Sequence, residues 1–591
     1  MEAAVRRAPA IAFAAFAAVA QAAGFPQIRS GELHPQRIPR EYWRHRVQMC
    51  KAMGLNTIAC YFFWNGIEGV DVRGFLDICK DEGMMVLLRP GPYCCGEWDF
   101  GGLPVSMLKD GITIRSSKDK RFLDAAGEYL SRMAELAEPY LAKNGGPVVM
   151  TQLDNEYGSW PDKESGYPVW LKEFWKSKGF GPFYMADGAA DRFFERLPYP
   201  DPEINVGLDP GLCAEDWACA EKWNPGVFVF SSETYPGWLR HWGEGNWTPN
   251  DLRATIAWYM AEGKSFNLFM IHGGTSFGFT AGANDGGAGG YEPDVTSYDY
   301  ASPISEQGLP TKEYYDYREI IFSALGETPP PVPEPVPAMD IAGFVPSFFA
   351  PLESNFGREI ECVHPLFFEE FGQNQGMARY ETVLPAGGAG ELAYDRISDY
   401  AHVYLDGVHL ATLDRRLGKK TIALPARERD AKLSILVEAM GHINYGAGMK
   451  DDRKGIAGDV YLDGKALTGW TVSTKDLGAE SVVSAKAGGC DGKKGGHFRG
   501  AFRLEKTADT FFDMSKWGKG TLYVNGFNLG RYWDIGPQLS LYCPASVLKA
   551  GENTVDIVEL ERSEPAAVRG VRENLVSDNG RPTGNLNNVW D

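Results

Sequence analysis

The feature that most limits the possible fold is an alternation of short β-prone runs with amphipathic helical stretches, from Gln27 to about Leu325. This alternation is typical of βα units, in which each strand is followed by a helix that covers the sheet. Eight such units are what a closed (β/α)8 (TIM) barrel needs. The predicted strands are Gln27–Glu32, Thr57–Phe63, Met85–Arg89, Pro147–Leu153, Phe183–Met185, Ile204–Leu208, Val227–Glu233 and Phe266–Ile271, with helices such as Arg40–Met53, Gly74–Asp81, Lys120–Lys143, Val169–Ser177 and Asn250–Glu262 between them.

The chain changes character at a proline-rich run, residues 329–337 (PPPVPEPVP), which predicts a stiff extended connector. Beyond it, apolar residues recur with period two between turn signals such as Leu405-Asp-Gly and Val524-Asn-Gly, a pattern typical of antiparallel β-sandwiches. We place the break between two sandwiches near Gly488 to Gly496, although sandwiches can exchange strands across such a break. The prediction is a multidomain protein with a barrel at 24–327, a linker at 328–339, and two jelly-roll-like sandwiches at 340–488 and 489–591.

The first 23 residues have the pattern of a secretory signal peptide. Arg6 and Arg7 precede an apolar run from Ala10 to Ala20, and Ala20-Gln21-Ala22 forms a small-residue cleavage site. The alternative is an Ala-rich first helix of the fold. The run is too short for a membrane anchor, and no Cys directly follows it to carry a lipid. We therefore expect a secreted or periplasmic protein without a membrane anchor.

Composition narrows the classes of partner. The formal net charge is −19, which argues against nucleic acid as a binding partner because both would be negatively charged. Neutral substrates would not be repelled. Sixteen Trp and 26 Tyr fit a carbohydrate-binding protein, because aromatic rings stack on sugar faces. The ten cysteines lack metal-finger spacing, and we expect no metal and no cofactor. Cys213 and Cys219 could form a disulfide or remain as two free thiols. The oligomeric state is left open.

Two glutamates each come just after a short apolar run. Glu156 lies in TQLDNEYGSW and Glu233 in SSETYPGW, so both are expected at the C-terminal ends of barrel strands, where such barrels keep their reacting groups. Hydrolysis of a glycosidic bond with retention needs a proton donor and a carboxylate nucleophile about 5 to 5.5 Å apart. Glu156 suits the donor and Glu233 the nucleophile. Asn155 is placed to bind a sugar 2-hydroxyl, and Tyr235 to hold Glu233. Helix-capping or ion-paired glutamates are the alternative interpretation.

Several long motifs resemble glycoside hydrolase family 35, the retaining β-galactosidases. They are SGELHPQRIPREYW, GLNTIACYFFWN, RPGPYCCGEWDFGGLP, QLDNEYGS, SSETYPGWLRHWGE, NLFMIHGGTSFGF, TSYDYASPISEQG and, near the C-terminus, KGTLYVNGFNLGRYWDIGPQLSLYCP. The resemblance runs from about Ser30 to Glu561. It implies that Glu156 is the acid/base and Glu233 the nucleophile. The galactose-binding positions that it implies are Tyr61, Cys95, Gly96, Glu97, Asn155, and Tyr300 with Tyr298 as the alternative.

Each implied contact has a structural alternative. The alternative for Glu97 is binding to Arg89 beneath the site, while Cys95 and Tyr61 are also compatible with packing. His272, in IHGG, is expected to be a packed residue rather than a base. The residues Glu32, His34 and Arg37 are expected at the barrel floor or rim, and Asn444, Tyr445, Trp517, Tyr532 and Trp533 either border the pocket or pack between domains.

Three departures from the family pattern bear on the pocket. Asp154 stands where a Glu is usual, about eight residues are missing from the loop after Trp64, and Ala301 replaces an Asp after SYDY. The expected activity is exo-acting hydrolysis of terminal β-linked galactose. A retaining hydrolase for another β-sugar, such as glucosamine, and a secreted galactose-binding protein without turnover are the alternatives.

Overall fold

The computed structural model describes residues 26–577, and the predicted signal peptide lies outside this range. Its N-terminal part is a closed barrel of eight parallel strands, each paired with the next, and β8 pairs with β1. The strands are β1 Arg29–Leu33, β2 Thr57–Tyr61, β3 Met85–Arg89, β4 Val148–Gln152, β5 Phe183–Asp187, β6 Ile204–Leu208, β7 Val229–Thr234 and β8 Phe266–His272. The predicted barrel is confirmed.

The barrel strands are buried on both faces because helices surround them. In β3 (MVLLR) every residue is buried, and the same holds for β2, β4, β5 and β8. Such strands have continuous apolar runs rather than alternation. The helices of this part are α1 Trp43–Ala52, α2 Val72–Asp81, α3 Ser106–Lys109, α4 Lys120–Ala137, α5 Gly166–Ser177, α6 Asp191–Phe194, α7 Ala214–Trp223, α8 Arg253–Ala261 and α9 Lys312–Leu325.

Local sequence signals fix several helix ends. Asp71 caps α2 by accepting a hydrogen bond from the Gly74 amide at 2.9 Å, and the hydroxyl of Thr311 caps α9 at the Tyr314 amide. The helix α9 ends at Gly326, whose φ of 66° suits glycine. Within residues 26–577 no helix combines the length and apolar character that a membrane span needs.

Two antiparallel sandwiches follow the barrel. After the short pair β9 Ala283–Asn284 and β10 Glu292–Pro293, the strands are β11 Ile341–Phe344, β12 Ser347–Ala350, β13 Glu359–Cys362, β14 Gly376–Leu384, β15 Gly390–Ser398, β16 Tyr400–Leu405, β17 Val408–Asp414, β18 Thr421–Leu424, β19 Ala431–Ala439, β20 Gly455–Leu462, β21 Lys465–Ala466, β22 Trp470–Lys475, β23 Gly496–Leu504, β24 Thr510–Asp513, β25 Lys519–Val524, β26 Phe527–Trp533, β27 Ser540–Cys543, β28 Gly551–Glu559 and β29 Val568–Val571. A short helix, α10 Ala479–Val483, precedes β23. The predicted antiparallel β architecture is confirmed.

The predicted boundary at residue 488 requires every strand of residues 340–488 to belong to the first sandwich. The sheets do not divide in this way. The middle sandwich consists of the sheets β13-β22-β14-β19-β16-β17 and β18-β15-β20-β21. The C-terminal sandwich consists of β11-β29-β24-β27 and β12-β23-β28-β25-β26. Residues 341–350 therefore belong to the C-terminal sandwich, and the middle sandwich is an insertion within it. This corrects the predicted 340–488 unit, whose first two strands pair across the break.

A buried ion cluster lies behind the loop of the middle sandwich that meets the barrel, residues 441–447. The Lys454 ammonium lies 2.8 Å from Asp399 and 3.2 Å from Asp452, and it donates to the Gly441 carbonyl at 2.8 Å. Arg415 binds the same two aspartates at 2.9 and 2.6 Å. Because removing one member of such a buried group leaves another charge unpaired, the cluster fixes the loop in one position.

Candidate active site

A cavity of about 130 Å³ opens at the C-terminal end of the barrel strands. This is well below the roughly 300–1,000 Å³ of drug-sized sites, so the space suits one small ring. Nine of the ten residues predicted from the sequence as catalytic or binding line it, and Tyr298 is the exception. The full lining is Tyr61, Cys95, Gly96, Glu97, Asn155, Glu156, Glu233, Tyr235, Trp238, Leu239, Phe269, Asn284, Tyr300 and Tyr445.

Glu233, near the end of β7, is held on both carboxylate oxygens. Arg89 from the end of β3 donates to Oε1, and the Tyr61 hydroxyl lies 3.3 Å from the same oxygen. The Tyr235 hydroxyl lies 3.2 Å from Oε2, so the predicted contact between these two residues is present. These three donors come from three different strand ends, which fixes the carboxylate against rotation.

Arg89 forms the floor beneath the cavity. Its guanidinium also binds Glu32 at 2.7 Å, Gln152 at 2.7 Å and the side-chain oxygen of Asn155 at 2.9 Å. Because Gln152 donates to that same oxygen at 2.9 Å, the Asn155 amide must turn its NH2 group toward the cavity. Asn155 therefore presents a donor beside Glu156, whose Oε2 lies 3.3 Å away.

Glu156 has a different electrostatic environment. The surrounding protein and then the charge of Glu233 raise its pKa well above the usual range, and Asp187 and Glu97 add to the effect. The charge of Arg115 opposes this and is the smallest of these influences. Burial also raises the pKa of Glu233, but Arg89 lowers it both by charge and by hydrogen bonding. The pKa of both carboxyls is raised, and that of Glu156 is raised further than that of Glu233.

The segment Cys95-Gly96-Glu97 forms one wall of the cavity in a left-handed conformation, with φ values of 64°, 61° and 48°. Glu156 has a φ of 43° and Tyr300 a φ of 66°. Left-handed non-glycine residues cost about 1–3 kcal/mol each and persist where the surrounding structure holds them. Here Arg37 donates to the Gly96 carbonyl at 2.6 Å. Four of the non-glycine residues with a positive φ, Cys95, Glu97, Glu156 and Tyr300, line the cavity.

Glu97 does not bind Arg89, so that alternative is wrong. Its carboxylate accepts a hydrogen bond from the Tyr298 hydroxyl instead. The Arg37 guanidinium lies over the Tyr298 ring, 3.7 Å from its centroid. Of the two tyrosines left open by the sequence, Tyr300 lines the cavity and Tyr298 supports Glu97 from outside it.

The middle sandwich supplies part of the cavity wall. Asn444 binds the thiol of Cys95 at 3.2 Å, and its own NH2 donates to the Ala283 carbonyl at 2.7 Å. The Tyr93 hydroxyl donates to the Asn444 carbonyl at 2.7 Å. These contacts place the next residue, Tyr445, in the cavity. Cys95 therefore both lines the cavity and joins two domains.

Other residues singled out from the sequence have structural roles. His272 is buried, 3.3 Å from Arg46 and 2.9 Å from the Ser305 carbonyl, so it is a packed residue as expected. Three others support the cavity without lining it: Arg37 binds the Gly96 carbonyl and lies 2.8 Å from His34, and Glu32 binds Arg89. Trp517 and Tyr532 belong to the core of the C-terminal sandwich, whereas Trp533 packs between domains against Trp242 and Tyr400. All ten cysteines, including Cys213 and Cys219, are free thiols.

Sequence reasoning missed several cavity residues. Trp238, Leu239 and Phe269 lie in motifs that were noted, while Asn284 had no distinguishing signal. Two buried aspartates behind the acids were also missed: Asp187 ends β5 and Asp209 follows β6. The position of these two aspartates at strand ends was the signal in the sequence that could have identified them. Among the described residues, no group of histidine, cysteine, aspartate or glutamate side chains is arranged to hold a metal ion.

The comparison with known proteins assigns the family. Residues 24–324 match the model of "Glycosyl hydrolases family 35", 365–476 match "Beta-galactosidase, first all-beta domain", and 497–553 match "Beta-galactosidase, galactose-binding domain". A β-galactosidase of Xanthomonas manihotis is 35% identical over 87% of this chain and 88% of its own length. β-Galactosidases of Macaca fascicularis and Homo sapiens are each 33% identical, over 95% and 90% of this chain and 88% and 84% of their own lengths. With this similarity over nearly its whole length, the chain belongs to glycoside hydrolase family 35.

Proposed function

We propose that the protein is an exo-acting β-galactosidase that releases terminal, non-reducing β-linked galactose with retention of configuration. The observation that carries the proposal is that Glu156 and Glu233 line one small cavity, where Arg89 binds Glu233 and neighbouring acids raise the pKa of Glu156 well above its usual range. The activity named for the relatives supports galactose as the sugar. The cavity volume supports attack at a chain end rather than in the middle of a glycan, because about 130 Å³ suits one ring.

In the first step, a carboxylate oxygen of Glu233 attacks the anomeric carbon and forms a covalent galactosyl ester. The bond from that carbon to the leaving oxygen breaks, and Glu156 gives its proton to this oxygen. In the second step, Glu156, now ionised, takes a proton from water, and the water oxygen attacks the same carbon. β-Galactose leaves, Glu233 regains its carboxylate and Glu156 regains its proton.

Sugar recognition is assigned to polar groups that the fold has already oriented. Asn155 turns its NH2 group toward the cavity for the 2-hydroxyl, a contact that strengthens in an oxocarbenium-like transition state. Glu97 offers carboxylate oxygens to adjacent hydroxyls, and the backbone of Cys95 and Gly96 serves a third. Tyr61 and Tyr300 complete the polar wall. A site with such fixed partners rejects an epimer, because its own buried groups would stay unpaired.

A panel of 4-nitrophenyl β-glycosides tests the reaction and the sugar together. We expect hydrolysis of the β-galactoside and little or none of the β-glucoside or β-glucosaminide, with Glu233→Gln as the matched inactive control. A preference for the glucosaminide would mean that the enzyme acts on β-glucosaminides and not on β-galactosides. If the protein binds galactose but hydrolyses none of these glycosides, it is a sugar-binding protein without turnover.

NMR of the reaction mixture tests the stereochemistry. Double displacement predicts that β-galactose forms first and then mutarotates. An initial α-anomer would contradict the covalent intermediate. Comparing β1,3-, β1,4- and β1,6-linked galactosides of increasing length tests exo action, since an exo-enzyme releases only single galactose units at every length.

We also propose that the protein is exported, on the basis of Arg6, Arg7 and the apolar run that follows them. Expression of the full chain in a bacterial host and N-terminal sequencing of the product test this. Cleavage after Ala22 or within a few residues of it is expected. A product that keeps residues 1–23 in the cytoplasm would contradict export.

A further inference from the structure

Asp209 lies behind the cavity and has no role in the reaction described above. It directly follows β6, the residue is 1% exposed, and its backbone amide donates to the Asp187 carbonyl at 3.0 Å. Its Oδ1 lies 3.0 Å from the Tyr235 hydroxyl, which also lies 3.2 Å from Oε2 of Glu233. The tyrosine hydroxyl thus links two carboxyl groups.

The number of protons in this link is restricted. A tyrosine hydroxyl has one hydrogen to donate, so it cannot donate to two carboxylates at once. If Tyr235 donates to Glu233, the carboxyl of Asp209 must itself be protonated and donate to the tyrosine oxygen. If Tyr235 donates to Asp209, then Glu233 must hold the proton.

The partners of Glu233 decide between the two arrangements. Its Oε1 accepts from the Arg89 guanidinium and lies 3.3 Å from the Tyr61 hydroxyl, contacts that favour the ionised form. Oδ2 of Asp209, by contrast, is buried without a hydrogen-bond partner among the described residues. An unpaired oxygen costs much less on a neutral acid than on a carboxylate. The proton therefore belongs on Asp209.

We propose that Asp209 is a positioning residue that stays protonated and, by donating to Tyr235, directs the tyrosine hydroxyl onto Glu233. The proposal rests on the proposed function insofar as Glu233 is the nucleophile. It assigns a relay of two hydrogen bonds, Asp209 to Tyr235 to Glu233, that holds the carboxylate oriented and ionised.

The charges around Asp209 agree with this state. Burial raises the pKa of Asp209 well above its usual range, and the charges of Glu233 and Glu156 raise it further. Arg89 and the hydrogen bond from Tyr235 act in the opposite direction. The other titratable groups that face it, Tyr300 and Tyr445, are neutral at ordinary pH because their own pKa values are raised.

Two substitutions test whether Asp209 acts as a neutral hydrogen-bond donor or as a charged carboxylate. Asp209→Asn keeps an NH2 donor of similar shape, so we expect kcat/KM on 4-nitrophenyl β-galactoside within about threefold of wild type. Asp209→Ala removes the donor, and we expect a loss of roughly tenfold to a hundredfold, the scale of a hydrogen bond to a charged group. In the alanine variant the acid limb of the kcat/KM profile should move to higher pH, because Glu233 loses a fixed donor. Equal losses in both variants would overturn the proposal.

A double-mutant cycle tests whether Asp209 acts through Tyr235. In a Tyr235→Phe background, Asp209→Ala should cost little more, since the relay is already broken. Additive losses would show that Asp209 acts by another route and would overturn the proposal.

A third measurement does not depend on turnover. The infrared spectrum of the wild-type full chain at neutral pH should contain a protonated-carboxyl band that Asp209→Asn removes, and Asp187→Asn serves as the matched control for the neighbouring buried acid. No difference for Asp209→Asn would overturn the proposal even in an active enzyme. Absence of β-galactosidase activity in the wild type would instead refute the proposed function, whatever the infrared result.

Discussion

Glu233 and Glu156 have the same side chain, but their surroundings in the cavity differ. Glu233 meets a guanidinium and two tyrosine hydroxyls from separate strand ends. Glu156 has one amide donor at 3.3 Å and a set of neighbouring acids that raise its pKa. The surroundings therefore favour the ionised form more at Glu233 than at Glu156. Because the two residues are of the same type, this difference comes from the fold.

The largest expected effect comes from removing the nucleophile. Glu233→Gln keeps an oxygen for Arg89 but cannot form the ester, so turnover should fall below about a hundredth of the wild-type rate. Hydrolysis of 4-nitrophenyl β-galactoside measures this, with circular dichroism as the control for folding. A variant above that rate would remove Glu233 from the role of nucleophile.

Glu156→Ala should give the next largest effect, and its size should depend on the leaving group. Without the proton donor, hydrolysis of a natural β-galactosyl disaccharide should slow by roughly 10²–10⁴-fold. An aryl galactoside with an acidic phenol needs less help in the first step and should lose less there. Pre-steady-state release of the phenol separates this step from the second. Equal losses on both substrates would contradict the assignment of Glu156 as acid.

The pH dependence of kcat/KM should reflect the opposite preferences of the two groups. In the proposed reaction Glu233 acts ionised, so activity should fall as pH drops through its pKa. Glu156 acts protonated in that reaction, so activity should fall as pH rises through its own pKa. Because the pKa of Glu156 is raised well above the usual range, the basic limb should lie well above about pH 4.3. Glu156→Ala, assayed on the activated substrate, should lose this limb. Its persistence would assign the limb to another group.

The smallest effect concerns stability. The folded protein raises the pKa of Glu156, so the ionised form is disfavoured and stability is lost as pH rises above the unfolded value of about 4.3. Glu156→Gln should therefore raise Tm over wild type, and the difference should grow from about pH 4 to pH 8. The pKa of Glu233 is also raised, but less, and Glu233→Gln in addition breaks an ion pair with Arg89, so this variant should gain less. The same Tm shift in both variants would contradict the contrast between the two sites.

The fold and the two acids were largely predictable because they depend on local sequence. Strands such as β3, MVLLR, are buried on both faces and therefore have continuous apolar runs. Glu156 and Glu233 come just after or near the end of such runs, and the geometry of a barrel brings strand ends together. The same rule applies to Asp209, but β6 carries Asn205 and Gly207 in its short run, which weakens the signal.

The features that the sequence did not predict depend on contacts between segments that are distant in the chain. Asn444 meets Cys95, 349 positions earlier in the chain, and nothing in either neighbourhood indicates the other. Tyr298 and Tyr300 are two residues apart in a stretch without regular alternation, so sequence did not decide which of them enters the cavity. The pairing of β12 with β23 crosses the whole middle sandwich, and a boundary drawn along the chain does not anticipate it.

That pairing has a consequence for synthesis and for truncation. Ile341 lies opposite Gly570, and Ser347 lies opposite Arg499, so the first strands of the C-terminal sandwich emerge from the ribosome long before their partners. The inserted sandwich, with Tyr445, can fold in the interval. A chain that stops before about residue 496 would keep every group of the cavity wall yet expose two unpaired strand edges, which favours aggregation. The strands after residue 496 are therefore needed to cover the edges of β11 and β12.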